Sequence, residues 1–249
     1  MESQAVARID DLLKTAFEHV GAKPPETGTT QDTKKRYSEQ ISNALAYAFA
    51  DELRHRGMAG AKPSTPGEAS GSGAERRMAG GIGAKKVDVT WATEESGLLL
   101  GISIKTINWR DQRTQNFQKN LTNRRGDLLI EAVTLHRWFP YAVMCGLLFL
   151  DYQAAADATP QRRSTFDNAQ PRLKLFTGRN DPAGRDEQYE RLYIVLLDGN
   201  PFNPSYPAYE AGDPTTPHDF DDIITTLIQL VAERNPDFYE EVEGNLRRV

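Results

Sequence analysis

One aspartate and one lysine occupy strand positions where an apolar residue would be the default. The first strand reads Lys86-Val87-Asp88-Val89-Thr90-Trp91. After a short polar turn, the second reads Leu98-Leu99-Leu100-Gly101-Ile102-Ser103-Ile104-Lys105-Thr106. Strand alternation puts Val87, Val89 and Trp91 on one face and Lys86, Asp88 and Thr90 on the other. In the second strand Ile102 and Ile104 share a face, and Gly101, Ser103 and Lys105 take the opposite one. A carboxylate and an ammonium on neighbouring strands of one hairpin can converge on a single point. Such a pair suits the holding of a divalent cation and the polarising of a water.

These residues resemble the PD-(D/E)XK nuclease superfamily, which includes most type II restriction endonucleases. The family pattern is an aspartate at the start of one strand and (Asp/Glu)-x-Lys in the next. Asp88 matches the first element and Lys105 the lysine, while Ser103 stands where the second acid belongs. One restriction-enzyme branch carries Ser-x-Lys and takes the missing acid from a glutamate on the following helix. Ser103-Ile104-Lys105-Thr106 is similar to that variant, and the resemblance spans Glu75 to Asp151. It implies an α/β, restriction-endonuclease-like fold, with a central mixed β-sheet flanked by α-helices. It implies a Mg²⁺-dependent DNA endonuclease of restriction or anti-phage defence type, with Mn²⁺ able to substitute. Asp88, a second carboxylate and the Ile104 carbonyl would be metal ligands. Lys105 would orient or deprotonate the attacking water and stabilise charge on the phosphate. The implied partner is double-stranded DNA, met by a homodimer. Loss of the acid at Ser103 also leaves open an inactive, DNA-binding or partner-recruiting subunit of a defence complex.

The missing acid has four candidates. Glu131 lies on a helix expected over Leu121–Phe139 and ended by Pro140. Leu121, Leu128, Ala132, Leu135 and Phe139 form its buried stripe. At about 100° per residue, Glu131 falls roughly 60° from the stripe's centre, at its boundary. It could point along the sheet toward Lys105 or be a solvated flank residue. Asp127 is one turn earlier and nearer solvent. Glu52 sits within the apolar face of a long helix over Asp32–Arg56, among Tyr37, Ile41, Leu45, Ala48 and Phe49. A charge there is costly unless paired or metal-bound. First-helix glutamates approach the metal in several branches of the superfamily, and pairing with Arg56 at i,i+4 is the structural alternative. Glu75 completes the set.

The net charge of −5 does not advertise nucleic-acid binding, but its distribution is uneven. Gly101–Arg137 holds seven basic and three acidic residues, a balance of +4, whereas Glu210–Val249 holds ten acids and three arginines, a balance of −7. A basic surface beside carboxylates suits phosphodiester chemistry. Arg110 and Arg113 lie in the polar run after Lys105, and Arg124 opens the next helix. Arginine, asparagine and glutamine read base edges in the major groove, although the run could simply position the helix. Arg76 and Arg77 precede a Gly-rich stretch that could clamp a DNA backbone. It is not a phosphate-cradling P-loop, because no Ser or Thr follows its lysines and a strand comes next.

At 249 residues the chain reads as one domain overall. Residues 1–56 form a helical segment packing on the core, 57–84 a Gly/Pro/Ser-rich loop, and 85–249 the nuclease core with acidic C-terminal helices. Further strands are expected at Tyr141–Leu150 and Arg191–Asp198, and helices at Ala5–Val20, Asp219–Arg234 and from Pro236 onward. Pro201–Pro217 reads as loop. No apolar run reaches the roughly 18 residues a membrane span needs. The N-terminal stretch is amphipathic rather than apolar, so no signal peptide is expected. Cys145 is the single cysteine and falls in a core strand, which fits a reducing cytoplasm without disulfides. The four histidines are scattered without zinc-ligand spacing.

Overall fold

Two apolar runs, 143–150 and 191–197, are too short for core helices and carry no polar alternation. That is the signature of strands buried on both faces. In a computed structural model, which describes residues 7–64, 76–78 and 85–249, they lie at the centre of an α/β arrangement. Helices α1 (Arg8–Val20) and α2 (Gln31–His55) come first, followed by a short antiparallel hairpin of β1 (Arg76–Met78) and β2 (Lys85–Val87). The main sheet is built from β3 (Val89–Thr93), β4 (Gly97–Ile107), β5 (Val143–Asp151), β6 (Arg191–Leu197), β7 (Ala208–Glu210) and β8 (Pro217–His218), in that spatial order. It is mixed: β4, β5 and β6 run parallel, and the remaining neighbours pair antiparallel. Helix α3 (Leu121–Trp138) crosses from β4 to β5, α4 (Thr165–Leu173) lies between β5 and β6, and α5 (Phe220–Arg234) follows β8. A second hairpin, β9 (Tyr239–Val242) with β10 (Asn245–Arg248), ends the chain. No helix among the described residues is long and apolar enough to cross a membrane.

The helices divide by face. Ile9, Leu13 and Phe17 of α1, Tyr37, Ile41, Leu45 and Phe49 of α2, and Ile223, Leu227 and Val231 of α5 pack on one side, against Ile102, Ile104, Cys145, Leu147 and Phe149. Leu121, Leu128 and Leu135 of α3 and Phe166, Ala169 and Leu173 of α4 pack on the other, against Met144, Leu148 and Leu150. Helix starts follow their caps. Thr30 accepts from the Thr33 N–H ahead of α2, and Asp219 accepts from the Asp222 N–H ahead of α5.

Three expectations are corrected. The chain after Pro236 is not a helix. Glu243 and Gly244 have φ of 51° and 76°, the paired positive values of a tight two-residue hairpin turn, and they fold the segment into β9 and β10. The Pro-rich 201–217 segment is not all loop, since it carries β7 and begins β8 on the far edge of the sheet. Val87 does not share a face with Val89. The chain bends at Asp88 between β2 and β3, so Val87 packs on the α3 side while Val89 and Trp91 pack on the α2 side. The ladder also slips between Trp91 and Ala92. Trp91 faces Leu100 and Ala92 faces Leu98, so Leu99 is an extra, bulged residue.

A buried ionic knot ties this core together. Fully buried Glu190 contacts Arg179 at 3.0 Å, Arg234 at 2.8 Å and His136 at 3.3 Å, and also accepts from the Met144 N–H. Burial opposes its charge, but His136, Arg234 and the Met144 amide hold its pKa below the ordinary 4.5. Removing one partner of a buried ion pair strands the others, at a cost of roughly 3–5 kcal/mol. Glu190→Ala is therefore expected to lower the urea-unfolding free energy by about that amount. The depressed pKa also sets the pH direction. The stability from this carboxylate is complete above 4.5 and declines as pH falls below it. The wild-type protein should lose more stability on acidification from pH 5 than the variant does.

Candidate active site

Strand β4 is the platform. Ile102 and Ile104 face α2 and α5, which turns Ser103 and Lys105 toward α3, as the alternation requires. Asp88 sits at the bend before β3. Its Oδ2 accepts from the Ile104 N–H at 2.7 Å and lies 3.4 Å from Lys105 Nζ. The Lys105 ammonium donates to Ser103 Oγ at 2.7 Å and pairs with Glu131 Oε2 at 3.1 Å. Three residues that the sequence singled out, Asp88, Lys105 and Glu131, thus meet around one ammonium, with Ser103 completing its shell. Glu131 is more than a boundary residue: it is 6% exposed, and its Oε1 is buried without a hydrogen-bond partner.

The acid reaches this point through the seam between α3 and the sheet. Gly146 lies beside Ser103 on β5, and a Cβ there would stand 2.3 Å from Leu192 Cδ1 and 3.6 Å from Leu128 Cδ2. The missing side chain makes room for Leu192, and Leu128 packs beside it at ordinary contact distance. Tyr189, fully buried, donates its hydroxyl to the Leu128 carbonyl at 3.0 Å, three residues before Glu131. Sequence reading named neither Gly146 nor Tyr189 as part of the site. Each precedes or interrupts an apolar run, which carries no signal of a functional neighbour.

Electrostatics fix the protonation states. Burial alone would lower the Lys105 pKa, but Glu131 and Asp88 outweigh it and hold it above its ordinary 10.5. In the metal-free cluster Lys105 is therefore a cation at neutral pH. Burial raises the Glu131 carboxyl above its ordinary 4.5; Lys105 opposes the shift and Asp88 reinforces it. Two carboxylates around one ammonium leave the cluster one negative charge in excess when Glu131 is ionised.

The donor set is of the kind a hard cation takes. Asp88 and Glu131 offer carboxylate oxygens, and the buried Glu131 Oε1 has no other partner. Within a strand one residue offers its N–H and C=O to the same side, so the Ile104 carbonyl lies on the Asp88 edge. Among the described residues no group of three or more His, Cys, Asp or Glu side chains assembles. Water would have to complete any octahedral shell around these two acids and one carbonyl.

The remaining candidates lie apart. Glu52 is buried on α2, across the sheet from α3, and is neutralised there by Arg8 at 2.7 Å and Arg56 at 2.6 Å. The i,i+4 pairing with Arg56 accounts for its place in an apolar face, and the structure does not bring it to Asp88. Asp127 is exposed and pairs with Arg124 at 3.2 Å. Arg110 is held over the Phe117 ring at 5.4 Å and donates to Gln153, whereas Arg113 is exposed. Arg124 lines a groove beside the end of β4. The side chains of Arg76 and Arg77, and all of Glu75, lie outside the described residues. No family model, curated protein or solved structure matches this chain.

Replacing Lys105 by Met would leave Glu131 and Asp88 facing each other without a cation. Breaking such a pair costs about 3–5 kcal/mol when both groups are buried. Protonation of Glu131 relieves the penalty, and a buried carboxyl with a raised pKa loses stability as pH climbs from 4.5 through its folded value. Thermal unfolding of metal-free Lys105→Met should show a larger deficit against wild type at pH 8 than at pH 5. An equal deficit at both would mean that Glu131 does not depend on the ammonium.

Proposed function

We propose that this protein is a Mg²⁺-dependent DNA endonuclease with a restriction-endonuclease-like core, acting in restriction or anti-phage defence. The observation that carries the reading is the convergence of Asp88 and Glu131 on Lys105, from a strand bend, a helix and a strand. Asp88, Glu131 and the Ile104 carbonyl would hold the cation, with Mn²⁺ able to replace Mg²⁺. When bound, the cation polarises the attacking water and the scissile phosphate. Lys105 would orient or deprotonate the attacking water and stabilise negative charge developing on the phosphate. Ser103 holds the ammonium by accepting its hydrogen bond. Double-stranded DNA is the proposed substrate, and two copies would cut its two strands. The basic balance of Gly101–Arg137 and the exposed Arg113 support an anionic partner.

One observation favours a second reading. The position that carries an acid in the family pattern is Ser103, and Lys105 already pairs with both carboxylates. An inactive, DNA-binding or partner-recruiting subunit would keep this arrangement as a structural ion cluster. Supercoiled plasmid incubated with pure protein and Mg²⁺ or Mn²⁺ separates the two. Nicked or linear product supports the nuclease, and a gel shift without product supports the binding subunit.

Mutation tests the assignments one by one. Asp88→Ala, Lys105→Ala and Glu131→Ala are each expected to lower cleavage by about 10²–10³-fold, the range for loss of one preorganised charge-stabilising group. Asp127→Ala should be milder, since its carboxylate is exposed and paired with Arg124. Ser103→Glu returns an acid to the strand beside Lys105 and should restore part of the activity of Glu131→Ala. Full cleavage by Lys105→Ala would sink the proposal.

A further inference from the structure

The edge of β4 is only partly covered. β3 begins at Val89, opposite Ile102, and beyond that point β4 continues to Ile107 with β5 on its other side. Asp88 takes the Ile104 N–H, and Thr106, two residues on, turns its N–H and C=O to the same edge. Here α2 on one face of the sheet and α3 on the other form the walls of a groove of about 390 Å³. Ser38, Ser42 and Asn43 line it from α2, Thr106 from the strand, and Asn120 and Arg124 from the start of α3. Most of its lining residues are polar or charged, and its size falls within the range of small-molecule sites, roughly 300–1,000 Å³. That is room for a nucleotide and far more than a single ion needs.

The groove lies close to the Lys105 site, although Asp88, Lys105 and Glu131 are not part of its lining. Thr106 is the residue after Lys105. Arg124 precedes Glu131 by seven residues, two helical turns, so both project from the same side of α3 about 10 Å apart. Arg124 also carries an unused donor: its Nε is buried without a partner, while its Nη1 meets Asp127. Lys35 adds a second cation on the α2 wall, partly offset by Glu39 at 3.8 Å.

We infer that this groove binds one nucleotide of the DNA strand being cut, next to the bond at Lys105. Arg124 and Lys35 take its phosphate, and the hydroxyls and amides of Ser42, Asn43 and Asn120 face its sugar and base. The inference rests on the nuclease reading for its substrate, but it is tested by binding alone. Trp109 lines the groove, so its fluorescence reports occupancy, and Trp109→Phe serves as the optical blank. Metal-free full-length protein is titrated with a 5′-phosphorylated thymidine dinucleotide. The expected result is a saturable change in emission that disappears in Trp109→Phe, with affinity reduced at least tenfold in Arg124→Gln. Arg124 is partly exposed and contacts Asp127 at the surface, so this variant should fold, which circular dichroism checks. Equal affinity of Arg124→Gln and wild type, or no saturable signal in wild type, would overturn the inference. Tenfold tighter binding of the uridine dinucleotide would overturn the assignment to DNA. The two proposals fail separately. A protein that binds through Arg124 but never cuts keeps the groove and loses the nuclease. One that cuts DNA and binds equally well after Arg124→Gln keeps the nuclease and loses the groove.

Discussion

A buried ammonium between two carboxylates is the interaction around which this structure is arranged. Lys105 cannot sit at the interface of a sheet and a helix without compensation, because desolvating one charge costs several kcal/mol. Asp88 from the strand bend and Glu131 from α3 supply that compensation at 3.4 and 3.1 Å. Two local departures from regular structure follow. The chain leaves the sheet at Asp88 instead of extending the β3 ladder, and the freed Ile104 N–H is capped by the aspartate itself. β5 carries a glycine opposite Ser103, where a Cβ would collide with Leu192. Each would be a defect in an idealised sheet, and the bend at Asp88 directly serves the charged cluster.

The contrast with Glu190 shows how differently the protein treats buried charge. Glu190 is enclosed by Arg179, Arg234 and His136, with a main-chain amide as well, and its charge is stabilised below the ordinary pKa. Both Glu190 oxygens have partners there: Oε1 meets Arg179 and Arg234, and Oε2 meets His136 and the Met144 amide. Glu131 is also buried but has one oxygen unpartnered and a raised pKa. An acid kept in that condition inside a folded core weakens it. Perturbed carboxyl groups of this kind are found in functional sites and in structural ion networks alike.

Much of this was legible in the sequence, and the misses have physical causes. The apolar alternation of Ile102 and Ile104 fixed the facing of Lys105, and the stripe of Leu128, Ala132 and Leu135 located α3 together with its Glu131. Local periodicity reports such elements because they are long and one-sided. It fails where one residue resets the phase. The bend at Asp88 reverses Val87, and the bulge at Leu99 reverses Leu98. The acidic run Glu240, Glu241 and Glu243 reads as helix by propensity. The Glu243-Gly244 turn overrides it, because Tyr239 then packs on Trp91 and Leu246 enters the core. Glu52 was legible as an anomaly and its i,i+4 partner Arg56 with it, whereas its second partner, Arg8, is distant in sequence.

Placing the second acid on a helix rather than on the strand changes what the site depends on. An acid at position 103 would be fixed relative to Lys105 by the geometry of one strand, two residues apart on one face. An acid at Glu131 is fixed only as well as α3 is fixed to the sheet. That seam is set by Leu128, Gly146, Leu192 and Tyr189, none of which touches the ammonium. A small displacement of the helix would open the 3.1 Å pair while leaving Asp88 and Lys105 in place. Packing residues beneath α3 therefore control the geometry of the charged cluster. Small shape changes there should act on the cluster before they act on the fold, because a close-packed interface transmits displacement rather than absorbing it.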